Sequence, residues 1–206
     1  MDIDFKKRVL STIQECCNQS IAEIDFSIGI SQNNTFIKKI EQDAGLVFHQ
    51  DIHEFYKKLD GFRLSWVLEK NNHKNLEFRN QIWGSIHFYN LEKIFIHNNK
   101  KAPWKDILWF DFEHDEKETL QLLRPFDFHN GDITSCGCFK VVDGFVSNEV
   151  YYYDLEYGII KMKMNFLDYV DKVLMYKGFM NWQRAFVGGR KRDVINMNKA
   201  VDEFLS

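Results

Sequence analysis

Four groups of residues in this chain have types and spacings that chemistry uses. His49 and His53 stand four apart, which sets two imidazoles on one helix face for a zinc ion. The metalloprotease pattern needs Glu directly after the first His, and Gln50 occupies that place, so two solvated histidines are the plainer reading. Cys136-Gly137-Cys138 puts two thiols on one face of a strand, where they could hold a metal or exchange electrons. Redox thiols use Cys-x-x-Cys at a helix start, where the dipole lowers the thiol pKa; here two buried small hydrophobes are favoured.

The third group is the acidic run Asp111–Glu118, which contains His114. It could serve acid/base work or a divalent cation, but it lacks the central Gly of a calcium loop. It reads as a solvated loop or, with Trp104 and Trp109 just upstream, as a docking surface, because Trp beside clustered charge is the composition of interface hot spots. The fourth group, Gly188-Gly189-Arg190-Lys191-Arg192, is a basic turn too short and isolated for a nucleic-acid site. The sequence has no phosphate-binding Walker loop, no dinucleotide-binding Gly pattern after a strand and no Gly-x-Ser-x-Gly elbow. No cofactor or metal is expected.

The elements that must position these groups follow from periodicity. Phe5, Val9, Ile13, Cys16 and Cys17 recur at helical spacing over Asp4–Cys17, with both cysteines read as core. A second helix runs from about Thr35 to the stop signal Gly45, and a third over roughly Gln50 to Asp60, making the opening third helical. The period then changes to two: Phe62, Leu64, Trp66 and Leu68 alternate with Arg63, Ser65, Val67 and Glu69. Beyond a polar loop at Glu69–Asn80, extended segments are expected at Trp83–Tyr89, Ile107–Phe112, Leu120–Asp127, Cys136–Val142, Val150–Asp154 and Gly158–Met164. Turn-forming stretches such as Asp143-Gly144 separate them. Asn165 and Asp168 form a variant capping box for a helix ended by Gly178, and a last helix is expected around Asp193–Leu205. Short strands without long intervening helices favour an antiparallel meander. The expectation is α+β: an antiparallel, strongly twisted sheet of about six strands, with helices from both ends of the chain packed against it.

Length and charge bound the answer. The 206 residues suit one domain able to bury a core without disulfides or metal. Apolar residues make up 45% and charged residues 28%, ordinary for a globular protein, whereas aromatics reach 16%. The net charge of −3 excludes a surface built to wrap nucleic acid or coat an anionic membrane. The charge is uneven: residues 101–160 carry 5 basic and 12 acidic side chains, and residues 161–206 carry 9 basic and 5 acidic. No stretch approaches the ~20 apolar residues of a membrane span, and the N-terminus develops no signal-peptide core. With four cysteines in no disulfide framework, a cytoplasmic location is expected.

The order of landmarks resembles the SUKH superfamily. The likeness runs through Phe55-Tyr56-Lys57-Lys58-Leu59-Asp60-Gly61-Phe62, Leu64-Ser65-Trp66, Gly84-Ser85-Ile86-His87-Phe88 and Ile94-Phe95. It continues through Leu123-Arg124-Pro125-Phe126-Asp127, Tyr151-Tyr152-Tyr153-Asp154 and Asn181-Trp182-Gln183, covering about residues 46–187. Residues 1–45 then look like an added N-terminal helical element, and residues 188–206 like a helical tail, on a single domain of 1–206. Gly61, Trp66, Gly84 and Trp182 take scaffold roles in this reading. Family members often carry a Leu-Pro step before the helix leading to Gly61; Leu46-Val47-Phe48-His49-Gln50 has none, so that helix must be capped otherwise.

The resemblance implies a protein-binding module without enzymatic activity. Bacterial members of the superfamily commonly act as immunity proteins that cover a polymorphic or contact-dependent toxin; the Smi/Knr-type branch, which regulates cell-wall synthesis, implies an intracellular regulatory scaffold instead. A metal-dependent hydrolase built on His49, His53 and His114 is the third class. Because many such toxins are basic nucleases, the expected partner-binding residues are Trp104, Trp109, Asp111, Glu113, Asp115 and Glu116. The expected partner is a protein, with no nucleic acid and no membrane, and the chain itself a monomer or weak dimer.

Overall fold

The computed structural model describes residues 5–19, 21–68, 83–96, 117–128, 135–155, 157–187, 195, 198–199 and 201–202. Helix α1 (Phe5–Cys17) buries Phe5, Val9, Ile13 and Cys16, the stripe its spacing dictates, but Cys17 faces solvent. One residue further along a helix is a rotation of about 100°, so adjacent positions cannot both lie at the centre of one buried face. Helix α2 (Asn34–Ala44) starts where the Asn33 side chain accepts from the Phe36 N–H, and ends at Gly45 with φ 66°, a left-handed conformation that glycine adopts without strain. Helix α3 (Gln50–Lys58) lacks the proline entry; His49 caps it instead, its Nδ1 accepting from the Asp51 N–H at 3.2 Å. Helix α6 (Phe166–Met175) carries the full capping box of Asn165 and Asp168. Two short helices, α4 (Leu91–Phe95) and α5 (Lys117–Gln121), precede α6, and α7 (Arg184–Val187) follows it.

The sheet corrects two expectations. Among the described residues it has eight strands: β1 (Ile21–Ile28), β2 (Val47–Phe48), β3 (Phe62–Leu68), β4 (Trp83–Phe88), β5 (Leu123–Phe128), β6 (Ser135–Val142), β7 (Phe145–Asp154) and β8 (Gly158–Asn165). It is also mixed: β2 runs parallel to β7, donating Val47 N–H to Gly144 O and His49 N–H to Val146 O, while the other pairings are antiparallel. The spatial order is β1-β3-β4-β5-β6-β7-β2, with β8 also on β7. The opening third is therefore not helical throughout, because β1 lies between α1 and α2 and pairs with β3. The expected strand Leu120–Asp127 begins as helix α5 and becomes extended only from Leu123. The expected strand Ile107–Phe112 lies outside the described residues, as does most of the last helix, of which Ile195, Asn198, Lys199, Val201 and Asp202 are helical.

Aromatic rings fill the space between sheet and helices. Phe126 on β5 lies 4.4 Å from Phe139 on β6 and 5.2 Å from both Phe166 and Tyr169 on α6, measured between ring centroids. Phe55 on α3 meets Phe5, Phe88 and Phe166 edge-on. Each such buried ring removes enough apolar surface from water to contribute about 1.5–3 kcal/mol, which is why an aromatic-rich chain makes one large core here. A second cluster on the opposite face of β5–β7 contains Leu120, Leu123, Phe128, Cys136, Cys138 and Tyr153. Burial on both faces explains why every residue of β5 is buried, where a one-sided sheet would alternate.

Strand β4 is bonded to two different segments along one edge. Its end pairs with β5, through Phe88 opposite Asp127 and Tyr89 N–H to Phe126 O. Its start pairs with the loop after α6: Ser85 N–H donates to Gly178 O, and Met180 N–H donates to Trp83 O. Between these segments the Asp127 carboxylate completes the edge, accepting from His87 N–H at 2.9 Å with one oxygen and from Tyr169 Oη–H at 2.7 Å with the other.

Candidate functional site

The six residues expected to meet a partner, Trp104, Trp109, Asp111, Glu113, Asp115 and Glu116, lie outside the described residues. The four scaffold residues are all described. Gly61 takes φ 98° between α3 and β3, and a Cβ there would come within 3.3 Å of Asn90 N and Phe88 O. Trp66 is buried on β3, with its indole N–H donating to Lys177 O at 2.8 Å. Gly84 lies directly under that ring: a Cβ on it would stand 2.3–2.4 Å from indole atoms, so the two residues interlock. Trp182 is buried against Tyr169, Tyr176 and Phe186, tying the segment after α6 to the core.

Among the described residues, the groups capable of chemistry are engaged in holding the fold. His53 Nε2 lies 3.0 Å from Glu41 Oε1, and the same oxygen accepts from Phe48 N–H at 2.7 Å. With His49 serving as a helix cap, the two histidines face different partners, and among the described residues no group of three or more His, Cys, Asp or Glu side chains could hold a metal ion. The Cys136 and Cys138 sulfurs are 3.5 Å apart and both buried; burial, and then the neighbouring thiol, pushes the Cys136 pKa well above its usual value. Burial pushes the Cys16 thiol up to about 12. Tyr169 is likewise held well above the usual phenol range, by burial first and then by the Asp127 charge, so it stays a donor. Gln183 Nε2 donates to its oxygen at 3.0 Å. Gly137 makes this arrangement possible, because a Cβ there would lie 2.8 Å from Tyr169 Oη.

A second buried carboxylate, Asp154, accepts from Tyr152 Oη–H at 3.1 Å and from Arg184 at 3.0 and 3.2 Å. Burial alone would lower the Arg184 pKa; its hydrogen bonds to Asp154 outweigh that and raise it. Buried acids that accept several donors are satisfied structural groups. Their role here is to join β5, β7, α6 and α7.

The surface offers a different kind of site at the β2 corner of the sheet. Val47, Val142 and Phe145 are 59%, 48% and 42% exposed. They are neighbours by register, because Phe145 pairs with Val47 on one side and Val142 on the other. The His49 ring stands edge-on to Phe145 at 6.5 Å, and Asn148 Nδ2 donates to Asp51 Oδ2 at 2.7 Å beside it. Next to Val47 an open hollow of about 410 Å³ is lined by Lys38, Glu41, Gln42, Gly45 and Leu46. An apolar ridge with a rim of mixed charge is the anatomy of a protein-docking surface. Sequence reasoning passed over it, although a signal existed: Val142 and Phe145 flank Asp143-Gly144, whose φ values of 50° and 76° make the hairpin turn, and apolar residues at a hairpin tip have little core to enter.

Comparison with protein-family models, curated proteins and solved structures returned no match. Among the described residues, no helix is long and apolar enough to cross a membrane.

Proposed function

We propose that the chain is a non-enzymatic protein-binding module, and that its most specific reading is an immunity protein that covers a cognate toxin. The observation that carries the binding reading is the exposed ridge of Val47, Val142 and Phe145 beside an open hollow. An apolar ridge held on three paired strands supplies preorganised contact area, so little conformational entropy is lost when a partner covers it. The order of landmarks shared with the SUKH superfamily supports the immunity reading, as does the acidic balance of residues 101–160, which would steer a basic toxin. Four free thiols suit the reducing cytoplasm in which such a protein would meet its toxin.

The test uses the purified protein and the toxin domain encoded beside its gene. Phe145→Asp with Val47→Asp is expected to weaken binding by roughly 30-fold or more, the size of a truncated hot spot, mainly through faster dissociation. Reversing the charges of Asp111, Glu113, Asp115 and Glu116 is expected to slow association and reduce its salt dependence. Wild-type kinetics in both variants would remove both faces, and with them this reading.

A further inference from the structure

Among the described residues the sheet has three edge strands, and they are protected to different degrees. Strand β2 has only two residues, and its Phe48 N–H is capped by Glu41. Strand β8 carries exposed Lys161 and Lys163, with Lys163 at φ 54° where its pairing with β7 is irregular. Lysines and irregular backbone are the devices that keep an edge from accepting another strand. Strand β1 has a register shift only at its start, between Ile21 and Glu23; from Glu23 to Ile28 its pairing with β3 is regular, and it carries no lysine. Its eight residues, Ile-Ala-Glu-Ile-Asp-Phe-Ser-Ile, include no lysine and no proline, and among the described residues it pairs with β3 alone. Glu23, Asp25, Phe26 and Ser27 are all exposed, with Phe26 at 48%.

Register assigns each β1 side chain to a face. Ile24 and Phe26 sit opposite Trp66 and Leu64, both buried, and so lie on the core side of the sheet. Glu23, Asp25 and Ser27 sit opposite Val67, Ser65 and Arg63 on the other side. A cavity of about 360 Å³ lies against this stretch, lined by Glu23, Asp25, Ser65 and Val67 together with Ile24, Trp66 and Gly84. Arg63 approaches Asp25 at 3.4 Å, an exposed ion pair that a competing cation can exchange at little cost.

We propose that the β1 edge is a strand-addition site for an extended segment of another protein in which Lys or Arg alternates with apolar side chains. An added strand turns alternate side chains to opposite faces. One set falls beside Glu23 and Asp25 and their cavity, where a cation is favoured; the other falls beside Ile24 and Phe26, where an apolar group continues the core. A second copy of this chain is the poorer occupant: antiparallel self-pairing centred on Ile24 or Asp25 sets carboxylates directly opposite carboxylates, and centring on Phe26 avoids this only by leaving Ile21–Glu23 without strand partners. This site is separate from the Val47 ridge and does not depend on the partner taken there.

The experiment compares two fluorescent peptides of one composition. In one, Lys alternates with Val and Phe; in the other the lysines are grouped at one end. The alternating peptide is expected to bind the full chain about tenfold more tightly and to slow amide exchange across residues 23–28. Glu23→Lys with Asp25→Lys is expected to remove that preference, whereas Asp43→Lys with Glu54→Lys, exposed on α2 and α3, makes the same charge change and leaves it intact. Phe145→Asp is expected to bind both peptides like the wild type, so failure at one surface is distinguishable from failure at the other. Equal affinity for the two peptides would reduce the effect to net charge and overturn the proposal. Concentration-dependent dimerisation that protects residues 23–28 would overturn it too, by assigning the edge to a second copy.

Discussion

The interlock of Gly84 and Trp66 allows a quantitative test. In Gly84→Ala the new methyl would lie 2.3–2.4 Å from the Cε2, Cζ2 and Nε1 atoms of the indole. Fewer unfolded conformations would favour Ala over Gly by about 0.5–1 kcal/mol. Overpacking costs about 1–3 kcal/mol, and a displaced indole would leave buried Lys177 O without its donor, costing about 1–3 kcal/mol more. The clash therefore wins, with a net loss of roughly 2–4 kcal/mol. Trp66→Leu removes Nε1, Cε2 and Cζ2, the ring atoms against which the methyl collides, so Gly84→Ala in that background is expected to cost less than about 1 kcal/mol. Urea unfolding followed by far-ultraviolet circular dichroism of the four proteins closes the cycle, since fluorescence would change with the loss of Trp66. A coupling energy near zero would refute the interlock, as would a single Gly84→Ala cost below about 0.5 kcal/mol.

Thiol reactivity should divide the cysteines by burial. The native protein is expected to show one fast-reacting thiol, Cys17, abolished by Cys17→Ser, with all four reacting only in denaturant; a second fast thiol would contradict the burial of Cys16, Cys136 and Cys138. His87 should make stability fall on acidification. Burial lowers its folded pKa, and Arg63 and Lys93 add to this against the pull of Asp127, so below about pH 6.5 the unfolded chain binds more protons and folding loses stability. Burial raises the Asp60 pKa and gives the opposite slope, but that contribution is common to both proteins when wild type and His87→Gln are compared. The denaturation midpoint is expected to drop from pH 7 to pH 5.5 more in the wild type than in the variant. Equal drops would show that His87 titrates alike in both states.

Elements with strong local signals could be read from the residues alone. The alternation of Phe62, Leu64, Trp66 and Leu68 is β3, and Asn165 with Asp168 is the capping box of α6. Elements that exist through distant partners could not. Strand β1 depends on β3, some 40 residues away, as seen in Asp25 opposite Ser65, and β2 is held by the backbone of Gly144 and Val146 rather than by any propensity of Val47 and Phe48. The parallel pairing was hidden for the same reason, since two residues carry no pattern. The candidate site was legible in composition but not in placement. That Val47, Val142 and Phe145 form one surface follows only from three strands meeting in register.

The bond from the Trp66 indole to Lys177 O spans 111 residues, and the pairing of Gly84 with Phe179 completes the neighbouring edge. A chain emerging from the ribosome can form α1, β1 and β3 early, yet the middle of the sheet stays open until the loop after α6 has been made. Such a topology folds late and as a whole, at the slower end for its size, because distant ends must meet before their contacts contribute. Until then the unclosed side of β4 is exposed, and the nascent chain stays vulnerable to aggregation until that loop has been made.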